Sequence, residues 1–519
     1  MGPVKQTLPP WRWLLLTAGS GPADKPGRAA LWGGLCILVG LSVAAFALTL
    51  RITGPELSWD GKDYAQLARQ VARGEGYTTK VLEPEMIDAV ERQGKLPGPW
   101  VNVFRPPLPV LAMALCFKTF GYSDLAAVLW SGGFYVLSTA VLFLACTPLF
   151  GYRAGFLAGL VFLVSRCGLV YARSGLTESA AIFFLLIVFW IVVTQRPGIQ
   201  WALLAGTAMG ACWLARPIAS AWLLAAVPFV CWDPDRPTWT RAGRRLAAAL
   251  AGFLLAVLVS QYALHWPSTN VLMSINVAYR VGPAEEVMKS IPHFVLTHIP
   301  GMLRKYLHEI LRPTLYLFQL GGFELFFALI PFSLIQMGDV RQSRARAFLV
   351  TLFVVNAGAL GFLTAGDAFV GPLRYFDVLA PMGLPWAAAF VLRWNGTLGG
   401  WRQPAFYVLL LVYLCGSAMQ SVRDPFVKPV PRSMYEALSR SVNDAETIAV
   451  SADLDPPGVA WYSDRRALSV PSDRQQAVEA AEKKGARVNW FLRPDRDPVP
   501  PGFALARMFP GGIALYRRL

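Results

Sequence analysis

Two stretches of one polar loop carry residue types suited to proton and phosphate chemistry. The first reads Ser58-Trp59-Asp60-Gly61-Lys62-Asp63-Tyr64 and the second Phe104-Arg105-Pro106-Pro107-Leu108. Asp60 and Asp63 fall within one helical turn, and a carboxylate there suits removal of a hydroxyl proton, or the holding of a metal that does so. Arg105 offers a planar fork that binds phosphate oxygens in pairs. Plainer roles compete. An aspartate ahead of a helix often only caps it, and an arginine at a membrane surface often only snorkels. Three further segments add candidates. Arg173 and Glu178 bracket Ser174-Gly175-Leu176-Thr177, Arg216 stands in Ala215-Arg216-Pro217, and Arg374 precedes Tyr375 after Gly371-Pro372-Leu373.

The elements that position these residues are membrane spans. Hydrophobic residues make up 55% of the 519-residue chain and charged residues only 15%, against roughly 25% charged in a soluble domain. Mean hydropathy is +0.43. Apolar runs long enough to cross a ~30 Å core occupy 29–50, 124–149, 152–171, 178–195, 246–266, 314–336, 346–364, 376–393 and 403–422. Two shorter runs, 199–215 and 217–232, meet at Arg216-Pro217 and read as a hairpin. Helices of ~15 residues rise only ~22 Å, so Arg216 is expected below the outer surface, where a charge is costly and usually functional. Glu324 also falls inside a span and needs an internal partner, with His265 and the loop arginines as candidates.

The expected fold is therefore mostly α, a polytopic membrane protein of about eleven helices. Orientation follows from charge: Lys5, Arg12, Lys25, Arg28, Arg153, Arg196, Arg236, Arg241, Arg244, Arg245, Arg341, Arg344, Arg346, Arg393 and Arg402 fall on one side. The positive-inside bias makes that side cytoplasmic. Residues 1–28 are then an inner segment, 29–422 a transmembrane module with an outer loop 51–123, and 423–519 a small outer α/β unit. Within the outer loop, 61–73 has the period of an amphipathic helix along the membrane surface, with Asp60 at its start. Residues 108–120 form a surface or partly inserted helix returning to the membrane. In the tail, helices are expected over 433–440 and 475–484, and strands over 447–450, 487–492 and 512–516.

Other classes fall away. The net charge of +16 is accounted for by topology and lipid headgroups, and no nucleic-acid motif accompanies it. The seven cysteines lie mostly in apolar runs without a CxxC, so no disulfide framework is expected. His265, His293, His298 and His308 are too scattered for a metal motif. No cofactor motif is present. A divalent cation gathered by Asp60, Asp63 and Glu178 remains open, since their spacing compels no such site.

Taken in order, the motifs resemble a known family. Asp60-x-x-x-Tyr64-x-x-x-Ala68, Gly74-Glu75-Gly76-Tyr77, Arg105-Pro106-Pro107-Leu108, Gly175-Leu176-Thr177-Glu178, Ala215-Arg216-Pro217 and Arg374-Tyr375 with Pro381 are similar to the GT-C glycosyltransferases. In particular they resemble bacterial relatives of the protein O-mannosyltransferases and the lipid A aminoarabinose transferases, over roughly residues 30–395. The resemblance implies an enzyme of the bacterial inner membrane that takes a sugar from a polyprenyl-phosphate carrier on the outer face. It makes Asp60 the essential acidic residue. It places Arg105 where members with a Lys-Pro-Pro motif use lysine toward the lipid phosphate. Arg216 and Arg374 are further phosphate candidates, with Asp63, Tyr64, Arg173 and Glu178 secondary. Many members carry Asp-Glu where this chain has Asp60-Gly61, so a second carboxylate is missing at that point.

The expected partners are a polyprenyl-phosphate-linked sugar, an acceptor of unknown kind and membrane lipids. Transfer by one displacement would invert the anomeric centre. Two alternatives belong to other classes. A lipid or polysaccharide transporter would show paired half-repeats, and none is visible. An inactive relative would serve as an assembly partner, with the tail as its docking unit.

Overall fold

The computed structural model describes residues 28–82, 100–101, 105–194, 198–232, 238–264, 325–335, 340–363, 376–423, 432–444, 446–451, 454–470, 476–483, 488–494, 497, 499, 501–510 and 512–519. The readings placed on Arg374, Glu324, His265 and the 267–312 loop lie outside these residues. Among the described residues, four helices are long and apolar enough to cross a membrane. They begin with α1 (Arg28–Thr53). The chain then forms α2 (Trp59–Arg73), α3 (Pro107–Phe120) and α4 (Asp124–Phe150), the last a second such helix.

The single span expected at 152–171 is two helices, α5 (Tyr152–Val164) and α6 (Arg166–Arg173), bent by 45°. Ser165 makes the break. Its backbone N–H donates to the Phe162 carbonyl and its hydroxyl caps α6 by accepting from Gly168 at 3.2 Å, a local alternative to continuing the helix. Next come α7 (Glu178–Thr194), α8 (Ile199–Ala215), α9 (Ala219–Cys231) and α10 (Trp239–Leu264). Helices α8 and α10 touch backbone to backbone: a Cβ on Gly206 would stand 1.9 Å from the Ala249 carbonyl oxygen. Small residues permit such approach between helices in lipid. α11 (Leu325–Leu334), α12 (Val340–Leu363), α13 (Leu384–Gly396) and α14 (Arg402–Arg423) complete the helical part.

After it, α15 (Arg432–Ser441), α16 (Pro456–Ser463) and α17 (Gln476–Lys483) alternate with β4 (Thr447–Ser451), β5 (Arg466–Val470), β6 (Val488–Pro494), β7 (Phe503–Phe509) and β8 (Ile513–Arg518). The sheet has six strands, in the order β2 (Val81–Leu82), β5, β4, β6, β8, β7. Its edge strand β2 comes from the first loop and pairs parallel to β5. Beside it β1 (Thr78–Thr79) and β3 (Trp100–Val101) form a small antiparallel ribbon. Thus α16, β5 and β7 join the tail elements expected from sequence, and the sheet reaches back to the polar loop.

Candidate active site

Helix α2 is fixed at its start by the segment that follows α6. Ser58 donates its N–H to the Ser174 carbonyl at 3.1 Å and its hydroxyl accepts from Gly61 N–H at 3.0 Å. Ser58 is therefore the cap, and Asp60, in the first turn, is not needed for that role. Gly61 explains a departure from the Asp-Glu pattern. A Cβ there would stand 2.3 Å from the Ser174 carbonyl oxygen, so no side chain fits.

The second carboxylate near Asp60 is Asp63. Arg105 donates from Nη1 to Asp60 at 2.9 Å and from Nε to Asp63 at 2.5 Å, and its guanidinium lies 5.5 Å from the Tyr64 ring centroid. The two acids differ in access: the Asp60 side chain is 18% exposed, Arg105 20%, and Asp63 only 4%. Asp63 also accepts from Gln66 at 2.9 Å, and Gln66 bonds Thr79 and the Lys80 N–H in turn. The amphipathic helix expected over 61–73 is α2, and it is packed within the protein. Residues Gly61 to Gln70 are all buried, because α3 covers one side and α16 the other.

Tyr77, which the sequence marks only as the end of Gly74-Glu75-Gly76-Tyr77, holds the arginine from behind. Its hydroxyl donates to the Arg105 carbonyl at 2.8 Å. Burial raises its pKa well above the ordinary phenol value, so it remains a donor. Gly74 and Gly76, at φ of 81° and 78°, turn the chain back through left-handed backbone that glycine adopts without strain. Pro106 is extended and Pro107 opens α3, a favoured proline position, so Arg105 sits at a fixed corner.

The remaining candidates separate. Glu178 and Arg216 form a buried ion pair at 2.6 Å, their side chains 1% and 5% exposed. Arg173 ties helix ends together by donating to Thr53 Oγ1 at 2.7 Å and to the Val422 carbonyl at 3.1 Å, with Glu56 at 3.5 Å. Tyr171 donates to Asp377 at 2.5 Å, a pair the sequence reading missed. Its signal was available, since Asp377 is a carboxylate at the edge of an apolar run. Asp60, Asp63, Tyr64 and Arg105 thus come together, while Glu178 and Arg216 pair separately. The two sets are joined through 174–178, where the Ser174 carbonyl supports Ser58.

Among the described residues no group of three or more His, Cys, Asp or Glu side chains is placed to hold a metal. The gathering of Asp60, Asp63 and Glu178 considered from sequence does not form, because two of them face Arg105 and the third faces Arg216.

Residues 104–262 match the family model described as dolichyl-phosphate-mannose-protein mannosyltransferase. No curated protein matches the chain in sequence. Solved structures are similar along nearly its whole length. ArnT from Cupriavidus metallidurans, bound to undecaprenyl phosphate, superposes with a TM-score of 0.59 at 13% identity, covering 93% of this chain and 98% of that one. The archaeal oligosaccharyltransferase AglB from Archaeoglobus fulgidus, in complex with an inhibitory peptide and a dolichol-phosphate, gives 0.51 at 13% identity, covering 89% and 69%. The arabinofuranosyltransferase AftD from Mycobacteria gives 0.51 at 13% identity, covering 95% of this chain and 42% of that one. The chain has the fold of the GT-C integral-membrane glycosyltransferases.

Proposed function

We propose that this protein transfers a sugar from a polyprenyl-phosphate carrier to an acceptor on the outer face of the membrane. One observation carries the reading: a guanidinium held by a sealed carboxylate, Asp63, and shared with a reachable one, Asp60. The undecaprenyl phosphate in ArnT and the dolichol-phosphate in AglB support the carrier class.

In this mechanism the donor phosphate takes hydrogen bonds from Arg105, and Asp60 turns to the acceptor hydroxyl. The acceptor oxygen attacks the anomeric carbon as its proton passes to Asp60. The bond from that carbon to the phosphate oxygen breaks, and its electron pair leaves with the phosphate. Arg105 stabilises the charge gained by the leaving group, and the anomeric configuration inverts. A leaving phosphate is a weak base, so the second carboxylic acid that glycosidases use is not required. Asp63 stays bonded to Nε of Arg105 and keeps its fork directed.

The test is sugar transfer by purified protein in nanodiscs, with polyprenyl-phosphate sugars as donors and cell-envelope fractions as acceptors. Asp60→Asn should keep donor binding and lose turnover about 10²–10⁴-fold, the usual contribution of a general base. Near-normal transfer by that variant would remove Asp60 from the chemistry. Donor binding without transfer by the wild type would favour the inactive assembly partner.

A further inference from the structure

The eight-residue helix α16 occupies a place that neither motif nor composition marks, yet three charged clusters converge on it. Its N-cap Asp455 accepts from Gly458 N–H at 3.0 Å and pairs with Lys62 of α2. Near its end the carbonyls of Ala460 and Trp461 each accept from Arg69 of α2 at 2.8 Å. Asp464, just beyond it, pairs with Arg69 at 2.8 Å, Arg73 at 3.0 Å and Lys80 at 2.7 Å. Trp461 stacks on Phe117 of α3 with centroids 5.4 Å apart, and the Arg69 guanidinium lies 5.0 Å from its ring. Its indole N–H donates to Asp124 at 2.8 Å, at the start of α4. Strand β2 adds a backbone link, since Ala467 N–H donates to the Lys80 carbonyl at 2.8 Å.

Helical geometry gives these contacts a direction. At ~100° per residue, Lys62 and Arg69 fall roughly 180–200° from Asp60. Asp60, Asp63 and Tyr64 lie on the other side, facing Arg105. Helix α2 therefore presents one face to Arg105 and the opposite face to α16. A retreat or roll of α2 would swing Asp60 away from the guanidinium.

We propose that α16 sets the position of α2, and that Lys62 and Arg69 are positioning residues acting through Asp455 and Asp464. The inference rests on the transferase reading for its kinetic consequence but not for its geometry. The Lys62–Asp455 pair is shielded, with side chains 6% and 11% exposed, and Arg69 is 9% exposed against a half-buried Asp464, so removing the partner of a buried group leaves a charge that must move toward water. Buried charges of this kind hold an element in one setting at a cost that apolar contacts would not carry, and that setting is what the reaction uses.

The experiment compares full-length protein in nanodiscs as wild type, Asp455→Asn, Lys62→Gln, the double variant, and Arg69→Lys. Asparagine can still cap α16, so Asp455→Asn isolates the ion pair. Each single change should lower kcat about 10–100-fold, the scale of a displacement near 1 Å, with donor KM little changed. Hydrogen exchange over 59–73 should quicken while strands β4 to β6 stay protected. The double variant, with no stranded charge, should regain part of kcat and protection. Wild-type kcat and exchange in the single variants would overturn the proposal, as would loss of kcat without any change at α2. Should the wild type transfer no sugar, the transferase reading falls, and exchange at α2 alone decides the positioning role. If Asp455→Asn unfolds the sheet, Arg69→Lys supplies the same comparison from the other end of α16.

Discussion

Arg105 faces two carboxylates that differ in exposure, and the proposed mechanism gives them different work. In it Asp63, sealed and bonded twice, orients the guanidinium, and Asp60 leaves it when a phosphate arrives. Replacing Arg105 then separates charge from geometry. Arg105→Ala should weaken donor binding and slow transfer together, because the phosphate gains charge as it leaves. Arg105→Lys should recover only part of kcat/KM, since a point charge cannot serve Asp63 and a phosphate as a fork does. Equal activity of lysine and arginine enzymes, measured by donor titration and single-turnover transfer, would contradict the forked role. Gly61 gives a second test. Restoring the Asp-Glu pattern with Gly61→Glu should not raise activity, because its Cβ would meet the Ser174 carbonyl. We expect a loss of about 1–3 kcal/mol, the usual range for overpacking, read as a lower melting temperature. A stable, faster Gly61→Glu enzyme would mean that α2 shifts more freely than its cap suggests.

The elements follow from sequence unevenly, and the reasons are physical. Helices α1, α4 and α14 stand where long apolar runs predict them, because burial in lipid leaves few alternatives to a helix. The break at Ser165 is hidden inside an apolar run, since one hydroxyl that caps the next helix decides it. Helix α16 begins Asp455-Pro456-Pro457-Gly458, which reads as a turn, although proline is well suited to a first helical turn. Strand β2 is two residues long and exists only because β5 is there to receive it, a contact no local pattern announces. In the site, Asp60 and Arg105 are legible from residue type and order; Asp63 as the sealed partner and Tyr77 as the support require the fold. The junction should also respond to acid. Burial alone would raise the Asp464 pKa, but Arg69, then Lys80 and Arg73, hold it below the ordinary carboxylate value. A depressed folded pKa contributes stability that is present above the unfolded value, about 3.9, and lost as pH falls through the folded one. Protection of the α2 and β2 amides, taken relative to their intrinsic exchange at each pH, should therefore fall as pH drops below about 4. Glu446 is depressed as well, so Asp464→Asn serves as the reference: its α2 exchange should lack this step. An identical acid response in both proteins would assign the effect elsewhere.

At the scale of the whole molecule, contacts between helix ends define two faces. Arg173 at the end of α6 bonds Thr53 at the end of α1 and Val422 at the end of α14, while Trp461 and Tyr462 reach Asp124 at the start of α4. Those ends share the level of α2 and α16. The other level is also fixed by contacts: Gln342 at the start of α12 donates to the Leu149 carbonyl near the end of α4 at 3.1 Å, and Arg344 to the Trp232 carbonyl after α9 at 2.7 Å. Arg28, Arg153, Arg344, Arg346 and Arg402 belong to helix starts on that second level, away from the candidate site. The orientation we propose from the positive-inside bias puts the second level in the cytoplasm and the Asp60–Arg105 cluster with the C-terminal sheet outside. Ser433 is exposed on α15 and reports on this directly. In a background without other cysteines, Ser433→Cys should react with a membrane-impermeant maleimide in intact cells, and lysis should add little. A cysteine introduced at Arg402, at the start of α14, should behave in the opposite way. Labelling of position 433 only after lysis would place Asp60 in the cytoplasm and remove the outer-face reaction, whatever the variants at Asp60 and Arg105 then show.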